Sequence, residues 1–334
     1  MERISRMNNK ITFGIYPLSP AGTPFGLAEG PEDDFDSIMA SLNELRANGQ
    51  KVIPRMYFVY TPEWAEKLLK NAEKFARLGL LENIVIGVGD WTKNDDTMVN
   101  LKHWQEFIEQ VIVRYGSQLY SLQITNEPNL SFMEGSKPYV YDVLITGVLT
   151  ARRVLDDLNF LTVKVGFGSV PESNVSVKNF WPNLMSKAPL DFMSKVDFVG
   201  HNFYVDVFEE VELTDEEIIE NTQRHLVKLR QILDKNNLSQ AEIFVSENGW
   251  PTGINPMTKR IRNDERQAQV LTMVVDTIVD LSNRLNISHY SLFGLRDADT
   301  QQNDLFYHYG ILKSDYSKKP GFDAFKTLVQ KYGR

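Results

Sequence analysis

Eight short runs rich in β-branched and aromatic residues recur along this chain, each followed by a segment of helical period, and that alternation constrains the fold more than any other feature. The runs are ITFGIY from Ile11, KVIPRMYFVY from Lys51, NIVIGVGD from Asn83, LYSLQITNE from Leu119, TVKVGFGS from Thr162, VDFVGHNFY from Val196, AEIFVSENG from Ala241 and ISHYSLFGL from Ile287. Between them, Pro31 to Asn48 sets Phe35, Ile38, Met39, Leu42 and Leu45 on one face behind an acidic first turn, and Pro62 to Leu78 repeats the scheme. Thr214 with Glu217 reads as a capping box ahead of another apolar stripe. The segments after Thr97, Pro138, Asp264 and Pro320 are likewise helical, and the one after Asn174 is short. Parallel strands need a crossover, usually a helix, so this alternation specifies an α/β fold with a parallel sheet. Eight repeats with no Pro/Gly/Ser-rich linker point to one (β/α)8 TIM barrel over residues 1–334. A doubly wound open sheet is the competing architecture, but it usually carries a Gly-rich phosphate loop after its first strand, and GIYPLSPAGTPFG lacks that spacing.

Charge and composition narrow the ligand. The chain carries 44 acidic against 36 basic residues, a net charge of −8, with no long basic run, which argues against nucleic acid and anionic membrane surfaces. A neutral or polar small molecule fits better. There is no cysteine, so disulfides and thiolate metal sites are excluded. Of the five histidines, His103 and His225 fall in helical segments, His289 and His308 read as structural or loop residues, and the first strand has no His-x-His. No metal or cofactor is expected. MERISRMNNK runs directly into a strand without a long apolar stretch, so the sequence as written reads as cytoplasmic, or as secreted if a leader was trimmed. The oligomeric state is left open, a monomer being compatible.

In a barrel of this kind the chemistry lies at the carboxyl ends of the strands. SLQITNEPN shows one such end: an apolar run stops on Asn126 and Glu127, and Pro128 cannot continue a ladder. The second strand carries Arg55, the third ends in Asp90 and Trp91, the sixth in His201, Asn202 and Tyr204, and the seventh in Glu247. Glutamates at the ends of strands four and seven are what two-carboxylate glycosidic bond hydrolysis needs: one protonates the leaving oxygen and the other attacks the anomeric carbon. Arg55 beside Glu247 would favour the ionised carboxylate, and a phenol at Tyr204 can restrain the nucleophile by a hydrogen bond. The plainer readings are a solvated or salt-bridged glutamate, a structural arginine and a packing tyrosine.

TNEP at Thr125 to Pro128, DFVGHNFY at Asp197 to Tyr204 and SENG at Ser246 to Gly249 resemble the acid/base, sixth-strand and nucleophile motifs of clan A glycoside hydrolases, the retaining (β/α)8 enzymes. The resemblance implies that Glu127 is the acid/base, Glu247 the nucleophile, Asn126 the residue that binds the sugar 2-hydroxyl, Tyr204 the partner of the nucleophile and Arg55 its neighbouring arginine, with His201 and Asn202 in the same site. The chain also departs from the clan's patterns. TNEP and ENG resemble family 1, whose first-strand Gln and Glu are missing here, and ENGWP resembles family 17 while other segments do not, so the resemblance reaches the clan and no single family. On strand eight the clan usually presents a tryptophan as the floor of the attacked sugar's subsite, where this chain has Phe293. Trp64, Trp91 and Trp250 each follow a strand and could stack on sugars, Trp91 and Trp250 being favoured, whereas Trp104 and Trp181 suit helix packing. The expected activity is retaining hydrolysis of β-glycosidic bonds in an oligo- or polysaccharide. The alternative is a carbohydrate-binding pseudoenzyme on the same barrel.

Overall fold

The computed structural model describes residues 9–23, 26–46, 49–91, 96–255 and 257–334. Eight strands form a closed barrel whose order follows the sequence: β1 (Thr12–Ile15), β2 (Val52–Tyr60), β3 (Asn83–Val88), β4 (Ser121–Ile124), β5 (Lys164–Phe167), β6 (Phe198–Asn202), β7 (Glu242–Asn248) and β8 (Ile287–Leu292). Every recorded barrel register is parallel, with Arg55 opposite Asn83, Asn83 opposite Ser121 and Ser121 opposite Lys164. Every residue of β3, β4 and β8 is buried, as expected of parallel strands covered on both faces. All eight strand-like runs coincide with these strands.

Eight α-helices lie among the described residues: α1 (Phe35–Leu45), α2 (Ala65–Arg77), α3 (Thr97–Tyr115), α4 (Val140–Asp157), α5 (Phe180–Lys187), α6 (Asp215–Lys235), α7 (Asp264–Leu285) and α8 (Pro320–Tyr332). Their starts follow capping chemistry. Asp34 accepts from the N–H groups of Asp36 and Ser37, Asp96 from that of Met98 and Asn263 from that of Arg266. The capping box is closed on both sides, Thr214 N–H donating to Glu217 Oε2 at 2.8 Å and Glu217 N–H to Thr214 Oγ1 at 3.3 Å. The helix expected from Pro31 to Asn48 is shorter in the structure, and its last two expected residues lie outside the described ones, as do Met1 to Asn8. Pro62–Trp64 forms a 3₁₀ turn with Pro62 at its first position, where its missing N–H costs nothing, and α2 starts at Ala65. No described helix is long and apolar enough to cross a membrane.

The chain divides into two compact units, one made of residues 1–53, 203–228 and 245–334 and the other of residues 54–202 and 229–244. In the first, Phe13 of β1 lies edge-on to Tyr290 of β8 at 6.0 Å and to Phe325 of α8 at 5.7 Å. In the second, Trp104 of α3 is fully buried, donates from its indole to Val143 O at 3.0 Å and meets Tyr60 of β2 at 5.3 Å. Burying a ring of that size contributes about 1.5–3 kcal/mol, so Trp104 is a core residue as expected. Trp181 on α5 is likewise buried against Phe167.

Candidate active site

Glu127 follows β4 through a turn that the sequence forces. β4 ends at Ile124, where Thr125 takes a left-handed conformation at φ 62°, an uncommon state for a β-branched residue that persists only when its surroundings hold it. Here Thr125 N–H donates to Ile86 O at 2.8 Å, and Gln123 donates its amide N–H to Thr125 O at 2.9 Å. Gln123 is oriented by Arg55, which donates to Gln123 Oε1 at 3.0 Å, to Asn83 Oδ1 at 3.3 Å and to the Tyr57 hydroxyl at 2.9 Å. Arg55 is 1% exposed and lies in the first half of β2, with its guanidinium spent on these neutral acceptors. It therefore bears on the Glu127 turn by way of Gln123.

Asn202, the last residue of β6, joins the two sequence-predicted residues of that turn: its amide Nδ2 lies 3.1 Å from Asn126 Oδ1 and 3.1 Å from Glu127 Oε1. His201 beside it is buried, with Nδ1 2.9 Å from Ser169 Oγ. Because Ser169 spends its hydroxyl proton on Gly200 O at 2.8 Å, the imidazole proton is assigned to Nδ1, which donates. Asp90 is exposed and paired with Lys137. Trp91 stacks on Tyr139 with centroids 3.7 Å apart and planes at 9°, so one face of its indole is already taken. The turn also rests on a residue that sequence reasoning missed. Glu134 accepts from the backbone N–H groups of Asn126, Glu127 and Val88 at 2.6, 2.7 and 2.9 Å. Burial pushes its carboxyl up to about 7, outweighing those three donors and Lys137, which favour the charged form.

Glu247 is the penultimate residue of β7, and Tyr204, two residues beyond β6, donates its hydroxyl to Glu247 Oε1. The backbone around the pair is tied down: Phe203 N–H donates to Glu247 O at 3.1 Å, Asn248 Nδ2 to Phe203 O at 2.8 Å, and the Tyr290 hydroxyl to Asn248 Oδ1 at 3.0 Å. A Cβ on Gly249 would lie 2.0 Å from Phe293 O, so only glycine lets the end of β7 approach the segment after β8 this closely. Phe293 stacks on Tyr16 at 5.0 Å and lies edge-on to Tyr309 at 5.5 Å, and Tyr309 meets Tyr204 at 5.5 Å. Burial drives the Tyr16 and Tyr309 phenols far above the ordinary range, and the charge of Glu247 adds to both shifts. Both therefore stay neutral beside a carboxylate.

Trp250 stands differently from the expected sugar platform. It is 5% exposed, its indole N–H donates to Asp206 Oδ2 at 3.1 Å, and the Arg262 guanidinium covers its ring at 4.7 Å. Phe208, which sequence reasoning passed over, is 50% exposed and lies edge-on to Tyr204 at 5.9 Å. Among the described residues no group of three or more His, Asp or Glu side chains could hold a metal ion.

The barrel has counterparts among solved structures. The chain is similar to a β-D-glucuronidase from Dictyoglomus thermophilum (TM-score 0.56, 15% identity, 97% of this chain and 50% of that one) and to the β-glucuronidase of Ruminococcus gnavus (TM-score 0.58, 16% identity, 97% and 50%). It is also similar to a family 39 glycoside hydrolase from Bacteroides cellulosilyticus WH2 (TM-score 0.58, 14% identity, 96% and 64%). At these identities the likeness is one of fold, and the chain spans about half the length of the glucuronidases it matches. No protein-family model matches the chain, and no curated protein sequence does.

Proposed function

We propose that the protein hydrolyses β-glycosidic bonds of an oligo- or polysaccharide by double displacement. Glu247 attacks the anomeric carbon while Glu127 gives its proton to the departing glycosidic oxygen, and a covalent glycosyl-enzyme forms. In the second step Glu127 takes a proton from water, the water oxygen bonds to the anomeric carbon, and the Glu247 carboxylate leaves. The observation that carries this reading is that the end of β6 supplies a donor to each carboxyl group, Asn202 to Glu127 and Tyr204 to Glu247. The Tyr204 hydrogen bond restrains Glu247 through one of its oxygens. Asn126 binds the sugar 2-hydroxyl, and Phe293 with Tyr309 forms the apolar floor of the attacked sugar's subsite. Arg55 and His201 act through the residues they hold, Asp90 and Trp91 flank the site beyond β3, and Trp250 braces the loop that carries Asp206.

The glycosidases of like fold support this reading, and so do the three motifs in strand order. The test is a panel of chromogenic β-glycosides and of β-glucans, mannans, galactans and xylans, followed by azide rescue. Glu247→Ala with azide should give a glycosyl azide of inverted configuration, whereas Glu127→Ala with azide, on substrates with good leaving groups, should give one that keeps the β configuration. Sugar binding without hydrolysis across the panel would instead support the pseudoenzyme.

A further inference from the structure

A buried carboxylate whose partners are three backbone N–H groups is an unusual use of charge, and Glu134 spends it on the two residues that matter most in the β4 turn. Its Oε2 accepts from the consecutive N–H groups of Asn126 and Glu127, and its Oε1 accepts from Val88, the last residue of β3. The left-handed Thr125 immediately precedes these two N–H groups. Room for the carboxylate is also provided: a Cβ on Gly87 would lie 2.8 Å from Glu134 Oε1, so a larger residue there would push the acid out. Glu134 itself is 7% exposed in a 3₁₀ turn, Glu134–Ser136. All three bonds are accepted by the carboxyl oxygens of Glu134, and two of them act directly on the Asn126 and Glu127 backbone from which the Glu127 side chain projects.

We propose that Glu134 is a positioning residue for the acid/base Glu127, fixing the Asn126–Glu127 peptide against the end of β3 so that the Glu127 carboxyl meets the glycosidic oxygen. The inference rests on the double-displacement reading of this site. A misplaced acid costs most where the leaving group must be protonated and least where it departs unaided. Glu134→Gln keeps the shape but replaces one acceptor oxygen with an NH₂ donor, which sets a donor against either Val88 or the Asn126–Glu127 pair.

The experiment compares kcat/KM on alkyl and dinitrophenyl β-glycosides of the sugar that the wild type hydrolyses, for wild type, Glu134→Gln, Glu134→Asp and Glu127→Ala, with thermal unfolding measured in parallel. For Glu134→Gln we expect a fall of about 10²-fold on the alkyl glycoside and a far smaller one on the dinitrophenyl glycoside. If Glu134→Gln does not fold, Glu134→Asp, which keeps the charge on a chain one methylene shorter, should show the same bias. Equal losses on both substrates, or none, would overturn the inference while Glu127→Ala still shows the bias. If Glu127→Ala shows no bias either, the double-displacement reading fails and takes the inference with it.

Discussion

Tyr204 donates its hydroxyl to one oxygen of Glu247, and losing that donor is the narrowest test of Glu247 as the proposed nucleophile. A hydrogen bond to a charged group is worth about 1.5–3 kcal/mol, so Tyr204→Phe should lower kcat by roughly 10- to 100-fold with thermal stability little changed. Unaltered steady-state kinetics in that variant would detach Tyr204 from the chemistry. Phe293→Ala removes a ring stacked on Tyr16, and if that ring floors the subsite, kcat should fall and KM rise together, because positioning is realised in the transition state. A drop in unfolding temperature alone would make Phe293 a core residue only. At this scale the sequence is informative where an apolar run gives way to polar residues ahead of a proline or glycine, as at Asn126, Glu127 and Glu247. Glu134 gave no such signal, since its partners are backbone groups that no spacing of side chains reveals. Trp250 misled for a related reason. Nearness to β7 in sequence does not decide which way an indole turns, and here it turns toward Asp206 and Arg262.

Elements were legible in proportion to their length. A strand or helix that repeats its apolar period several times announces itself, and the Thr214–Glu217 box marks the start of α6. Two short hairpins, Ala21–Thr23 with Gly26–Ala28 and Gly253–Ile254 with Ile261–Arg262, were not anticipated, because strands of two or three residues carry no period. On α6, His225 packs against Phe203 at 5.5 Å, and burial, helped by Arg224 and Lys228, lowers its pKa to about 4. The sign follows from linkage: between about 4 and the ordinary value near 6.5 the unfolded chain binds the proton and the folded chain does not. His225 therefore stabilises the fold fully above that window, and its contribution, at most about 3 kcal/mol, is lost as pH falls through it. Urea unfolding at pH 7 and at pH 4.5 should show a larger loss of stability in the wild type than in His225→Gln. Equal losses would place the acid sensitivity elsewhere.

For the whole molecule, the closed barrel was readable because eight alternations in one chain leave few other parallel arrangements, and strand order then assigns each strand's carboxyl end to one face of the barrel. The central claim is that Glu247 forms a covalent bond to the sugar, which requires carboxyl groups about 5–5.5 Å apart, whereas an inverting pair stands roughly 6.5–9.5 Å apart to admit a water. The stereochemistry of the first product separates the two without reference to either residue. Following hydrolysis of a β-glycoside by proton NMR, in the first minutes before mutarotation, should show the β anomer of the released sugar appearing first. Release of the α anomer first would mean a single displacement by water, and Glu247 would not be the nucleophile.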